Sequence, residues 1–144
     1  MTTLEKLCDY AHKRNINIYH SQLGFFKAMI VKQDHISIVI DRKAMQTASE
    51  ERECLAHELG HYETHTYYTV NTNLECIGQR EYFANRWAVM KLLPFHTLKE
   101  AIVSGKTEIW ELSELFELSE DFIRTAIEIY TRRGDLPIET ENIS

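Results

Sequence analysis

The residues with the clearest chemistry lie in Cys54-Leu55-Ala56-His57-Glu58-Leu59-Gly60-His61, which contains His-Glu-x-x-His. On a helix, side chains four apart stand one turn above each other on one face. His57 and His61 can therefore offer two imidazole nitrogens to one ion. Zn²⁺ accepts neutral imidazole and favours tetrahedral sites. Glu58 lies about 100° further round the helix. That is too far for a third equivalent ligand, yet close enough to serve a water at the ion as general base. Two ligands and one base are what metal-assisted hydrolysis requires. A catalytic zinc site takes three protein ligands and keeps one position for water. Glu81, with nineteen residues between His61 and it, is the best third candidate. It opens Glu81-Tyr82-Phe83-Ala84-Asn85-Arg86-Trp87-Ala88, which reads as a second helix. Asn85 shares the face of Glu81, and its amide oxygen could accept the free ring N–H of one histidine and fix its tautomer.

Two surface histidines on an amphipathic helix would give the same short motif. The following glutamate and its partner, and Gly60 inside the helix, argue for function. Glycine there costs about 1 kcal/mol against alanine, so close packing of a neighbouring backbone is a plausible reason for it. Cys54, three residues before His57, is either near the metal side of the helix or a small buried hydrophobe.

The stretches Ala56-His57-Glu58-Leu59-Gly60-His61, Glu81-x-x-Ala84-Asn85-Arg86-x-Ala88 and Leu92-Leu93-Pro94 together resemble the ImmA/IrrE family of metallo-endopeptidases. Trp87 stands where a smaller aromatic would be expected. The resemblance implies a zinc-type site with His57, His61 and Glu81 as ligands and Glu58 as catalytic base. It also implies a protein substrate, commonly a repressor encoded beside the protease on a phage or mobile element. Zinc is the expected ion, one per chain. Mn²⁺, Fe²⁺ or Co²⁺ would also suit an N/O site. A non-proteolytic protein that binds a repressor through the same scaffold is the alternative.

The elements that must position these groups fit a chain of 144 residues, enough for one domain with a real core. Leu4, Leu7, Cys8 and Ala11 recur at helical spacing over 3–14. Residues 16–41 read as three strands, including Phe25 to Val31 and the β-branched Ile36-Ser37-Ile38-Val39-Ile40. Turns at Ser21-Gln22-Leu23-Gly24 and Gln33-Asp34 predict an antiparallel meander. An edge of such a sheet could hold an extended peptide by strand addition. Thr47 and Glu50 have capping-box spacing ahead of the metal helix, with Ser49 a rival cap. Residues 64–76 form a polar connection passing the metal cleft. His65, Tyr67 and Tyr68 there are candidates to stabilise an oxyanion, although an exposed loop residue with no catalytic role is the more ordinary reading of each. Residues 77–93 form the second metal helix, with Phe83, Trp87 and Met90 as its core stripe, and Pro94 ends it.

Residues 95–133 predict three short helices, with Ser119 as an N-cap. Ile109–Phe116 followed by Ser119–Ile123 resembles a helix-turn-helix. A DNA reader would carry basic residues on its second helix. Here residues 97–134 hold 5 Lys/Arg against 8 Asp/Glu, which argues against phosphate contact. The net charge of −6 agrees; residues 1–72 carry 8 Lys/Arg and 9 Asp/Glu, and residues 73–144 carry 8 and 13. The expected fold is α+β: a small zincin-like domain whose three-stranded antiparallel sheet packs on metal-binding helices, with a helix-turn-helix-like C-terminal part. The expected divisions are a core over 1–94, a helical subdomain over 95–134 packed on it, and a loose tail over 135–144. Three cysteines at irregular spacing suggest no disulfide framework. No secretory signal is visible at the N-terminus, and no apolar run approaches the ~18 residues needed to span a bilayer. A cytoplasmic protein with a protein partner, and with neither nucleic acid nor membrane, is expected.

Overall fold

The computed structural model of the chain describes residues 1–69 and 71–138. The elements run α1 (Thr3–Lys13), β1 (Asn17–His20), β2 (Ala28–Lys32), β3 (Ile36–Ile40), a 3₁₀ turn (Arg42–Ala44), α2 (Ala48–Thr64), α3 (Leu74–Leu92), α4 (Phe95–Val103), α5 (Ile109–Phe116) and α6 (Glu120–Arg132). The class is α+β. Two compact units divide the chain between Ala88 and Val89, inside α3.

In the first unit the sheet order is β1-β3-β2, with β3 in the centre. β2 and β3 pair antiparallel with Ile30 opposite Ile38, as their tight connection requires. β1 pairs parallel to β3, with Ile18 opposite Ile38. The expected all-antiparallel meander is therefore corrected to a mixed sheet. The cause is the route from β1 to β2. Residues 21–27 do not make a tight turn but carry the chain across the end of β3. Asp41 anchors that route from the end of β3: its buried carboxylate accepts the Leu23 N–H at 3.1 Å, and the Lys43 N–H at 3.1 Å. Ser21 N–H donates to the Ile40 carbonyl. Phe25 and Phe26 fall on this crossing rather than in a strand, and Phe25 is 100% exposed.

The core of this unit is Leu7, Ala11 and Ile16, then Ile38 and Ile40 of β3, then Leu55, Ala56 and Leu59 of α2, and Ala84 and Ala88 of α3. α2 packs against α1, β2 and β3. Each fully buried leucine or isoleucine contributes roughly 1.5–3 kcal/mol, so the α2–sheet contact fixes where the metal motif stands. Thr47 is the N-cap of α2, accepting the Glu50 N–H. The Glu50 carboxylate does not close the box on Thr47; it accepts the Gln46 N–H and pairs with Lys27. α2 ends at Thr64 because His65 adopts a left-handed conformation (φ 53°, ψ 42°).

α3 starts at Leu74, earlier than expected, because the Asn73 side chain accepts the Cys76 N–H as an N-cap does. Its expected core stripe needs correction. Phe83 is 43% and Met90 42% exposed, while Ala84, Ala88 and Val89 are buried. The packed face of α3 is its small-residue face, because Gly60 of α2 draws the backbone at Ala84 into contact.

In the second unit Pro94 stands as N-cap of α4, two residues after the end of α3. Ser119 caps α6 by accepting the Phe122 N–H. The buried Tyr130 hydroxyl donates to the Leu93 carbonyl at 2.7 Å, joining α6 to the end of α3. Asp135 and Leu136 N–H groups return to the Tyr130 carbonyl. Of the expected tail, residues 139–144 lie outside the described residues.

Candidate metal centre

α2 and α3 cross at a contact without side chains. A Cβ built on Gly60 would stand 2.5 Å from the Ala84 carbonyl oxygen and 3.0 Å from its Cα. Only glycine permits that approach. It brings one turn of α2, His57 to His61, against one turn of α3, Glu81 to Asn85.

At this crossing His57 Nε2 lies 2.9 Å from Glu81 Oε2, and His61 Nε2 lies 3.0 Å from Glu81 Oε1. The imidazole rings meet edge to face with centroids 4.8 Å apart. Both Nδ1 atoms are occupied on the far side. His57 Nδ1 is 2.7 Å from Asn85 Oδ1, and His61 Nδ1 is 3.0 Å from the Thr66 carbonyl and 3.2 Å from its hydroxyl. The carbonyl and the amide oxygen only accept, so both Nδ1 atoms carry protons. The Nε2 atoms are then the nitrogens turned to the carboxylate.

The charge arrangement agrees. Burial opposes ionisation of Glu81, but hydrogen bonds from both histidines outweigh it and hold the carboxyl far below its usual range. For His57, burial disfavours the cation, while Glu81 stabilises it more strongly, so its pKa is raised. Glu58 is buried beside the cluster but outside it. Burial pushes its carboxyl up, opposed by the two histidines and by the Ile30 N–H, which donates to it from β2.

His57, His61 and Glu81 offer ligand atoms that all lie within 4.8 Å of one another. The edge of a tetrahedron with metal bonds near 2.05 Å is about 3.3 Å. The 2.9 and 3.0 Å contacts, made to the two oxygens of Glu81, would open by a few tenths of an ångström, and the widest pair of ligand atoms, within 4.8 Å, would close towards that edge. Two imidazoles and one carboxylate, each oriented by an outer hydrogen bond, fit a divalent ion of the zinc type.

A family model described as Peptidase M78, IrrE N-terminal-like domain, matches residues 13–128. The chain belongs to this family. No curated protein and no solved structure shows significant similarity to the chain. The IrrE-like domain has a metallopeptidase scaffold, and the three-residue cluster sits where α2 and α3 of that scaffold meet.

The three loop candidates part company. The Tyr68 hydroxyl donates to Glu81 Oε1 at 2.8 Å, and its ring meets His61 edge to face at 5.8 Å. Burial and that hydrogen bond push its hydroxyl up to about 12, so it remains a donor at neutral pH. Tyr67 turns elsewhere: Lys32 Nζ stands 4.9 Å from its ring centroid, and its carbonyl accepts from Arg80. His65 is exposed and closes α2 through its backbone. Cys54 is half-buried, outside the cluster, with its thiol raised to about 11 by burial and then by Glu58. It is a free thiol, like Cys8 and Cys76.

Thr66 and the Ile30 N–H had no signal in the sequence. Both reach the site through the turn after α2 and through the sheet, which spacing does not encode. No helix among the described residues is long and apolar enough to cross a membrane.

Proposed function

We propose that the IrrE-like domain is a zinc-dependent endopeptidase acting on a specific partner protein. The observation that carries this reading is the position of Glu58: buried against the His57–His61–Glu81 cluster, not part of it, and hydrogen-bonded to the edge of the sheet. His57 Nε2, His61 Nε2 and Glu81 would hold the ion, which supplies Lewis acidity towards a peptide carbonyl and a water. Glu58 takes the proton of the attacking water and returns it to the amide nitrogen as the C–N bond breaks. Burial suits the carboxylate to that exchange, because it brings its proton affinity closer to that of the groups it serves. Of the three loop candidates Tyr68 alone has its hydroxyl at the site; it donates to Glu81, and by turning its one proton from that carboxylate it would support the carbonyl oxygen.

The geometry of β2 supports an extended protein segment as substrate. Asp41 N–H bonds the Lys27 carbonyl and Gln33 N–H bonds the His35 carbonyl. With the strand register, this turns Lys27, Met29, Val31 and Gln33 towards β3. The N–H and C=O groups of Ala28, Ile30 and Lys32 therefore line the outer edge, and the Ile30 N–H reaches Glu58. A substrate strand laid along that edge passes the general base. The family resemblance makes a transcriptional repressor of a phage or mobile element the expected partner.

The test is expression of the chain and of Glu58→Gln in its host, with new protein N-termini read by terminal-labelling mass spectrometry. Wild type should create one or a few new termini. The variant should retain the ion and lose roughly 10²–10⁴ in rate. A repressor released uncut by both proteins would replace the peptidase with a binding protein on the same scaffold.

A further inference from the structure

At the C-terminal end of α2, a chain of hydroxyl groups leads from Thr64, its last residue, through Thr66 to His61. The Thr64 hydroxyl donates to the Gly60 carbonyl at 2.7 Å. It also lies 2.7 Å from the Thr66 hydroxyl. Thr64 has one hydroxyl proton, and a carbonyl only accepts, so that proton is spent on Gly60. Between the two hydroxyls, Thr66 must then be the donor. With its own proton spent, Thr66 offers His61 only lone pairs, from Oγ1 at 3.2 Å and from its carbonyl at 3.0 Å. The direction of every hydrogen bond in the chain follows, and its end is a proton on His61 Nδ1.

We propose that Thr64 and Thr66 are positioning residues: their hydroxyl relay pins the His61 ring with Nδ1 as donor and reserves Nε2 for the ion. The inference rests on His57, His61 and Glu81 forming a metal centre. Two features show why a relay is needed. The chain has just turned through the left-handed His65, so the Thr66 carbonyl sits on a connection rather than on a helix. Thr66 is nonetheless buried, and its N–H donates to the His61 carbonyl at 3.0 Å. The hydroxyl pair clips this turn to the last turn of α2. The anchor is Gly60, the residue at which α2 touches α3. The His61 ring is thus fixed to the same backbone point that sets the distance to Glu81.

The test compares Thr66→Val, Thr64→Val and Thr66→Ser, with Thr69→Val as a control, since the hydrogen bonds of Thr69 among the described residues stay within its own exposed loop. Zinc affinity is read by competition with a chromophoric chelator. The His61 Nδ1 proton of the metal-free chain is read by ¹H–¹⁵N NMR. The two valine variants should lose roughly 10-fold or more in zinc affinity and expose the Nδ1 proton to solvent exchange. Thr66→Ser should restore both, and Thr69→Val should change neither. A Thr66→Val chain with wild-type affinity and a protected proton would overturn the relay. So would an equal loss in Thr66→Val and Thr66→Ser, which would indicate packing instead. If the wild-type chain takes up no zinc, the metal centre itself fails; the Nδ1 proton still decides the relay. Should Thr66→Val fail to fold, Thr64→Val alone decides in the same way, since it removes the acceptor that orients the Thr66 hydroxyl.

Discussion

Gly60→Ala is the most searching perturbation of the α2–α3 crossing. The added methyl would meet the Ala84 carbonyl oxygen at 2.5 Å and its carbonyl carbon at 3.1 Å. Carbon rarely approaches a carbonyl oxygen closer than about 3.3 Å, so α3 must retreat by about 0.8 Å at that point. The obstacle is backbone, so no side-chain rotation relieves it. Overpacking of this kind costs about 1–3 kcal/mol, and alanine returns about 1 kcal/mol of helix propensity by comparison with glycine. The net destabilisation is then about 1 kcal/mol, a fall of roughly 4 °C in Tm for a domain of this size. The effect on the site is larger. Glu81 and Asn85 ride on the displaced turn, and metal sites tolerate only about 0.2 Å in ligand distance. Zinc affinity should therefore fall at least ~10-fold. Chelator competition and thermal unfolding followed by circular dichroism measure the two effects. Gly78→Ala is the control: Gly78 lies on α3 with nothing within 4 Å of its would-be Cβ, so stability should rise by up to about 1 kcal/mol with affinity unchanged. A Gly60→Ala chain that binds zinc like wild type and melts no lower would refute the reasoning.

Zinc at about 100 times its dissociation constant should add about 2.7 kcal/mol of stability, seen as a rise in Tm that is absent in a His57→Ala/His61→Ala double variant. Asp41→Ala should destabilise the first unit by about 2–4 kcal/mol, since it strips the Leu23 and Lys43 N–H groups of a buried carboxylate; urea unfolding would show it. Tyr68→Phe should lower zinc affinity roughly 10-fold, since its hydroxyl donates to Glu81, and should lower peptide cleavage by about 10² even at saturating zinc, which single-turnover assays beside chelator competition would separate. Cys54, its thiol raised to about 11, should be alkylated at about pH 8 far more slowly than a thiol at the ordinary value of about 8.5, as peptide mass mapping after timed iodoacetamide treatment would show.

The parts of the site that were legible in the sequence were those carried by a helical period. His57 and His61 share a face by spacing alone, and so do Glu81 and Asn85. The meeting of the two pairs was readable only as far as Gly60 hinted at a close approach. What spacing does not encode was hidden. Thr66 reaches His61 because His65 turns left-handed, and Ile30 reaches Glu58 because β2 is an edge strand. The strand count was legible from β-branched runs, but the direction of β1 was not, because it depends on the path of residues 21–27. Two apolar signals pointed the wrong way. Phe25 and Phe26 look like strand, yet they lie on the crossing. Phe83 and Met90 look like core, yet the face of α3 that packs is the one whose side chains are small enough to let the backbones touch.

That last reversal explains the site. A pair of helices separated by leucine-sized side chains sits about 8–10 Å apart, and a glutamate on one then approaches histidines on the other only by extending fully into the gap. At Gly60 and Ala84 the backbones themselves are in contact. Glu81 can therefore meet both Nε2 atoms at 2.9 and 3.0 Å while Asn85, one turn along, still reaches the far side of the His57 ring at 2.7 Å. The same turn of α3 thus grips one imidazole from two sides. The outer nitrogen of His61 is met instead by Thr66, in the turn that follows α2. The division follows from geometry: on α3 a single face one turn long, Glu81 to Asn85, carries one ligand and one orienting group, so the second ring is held by α2's own continuation.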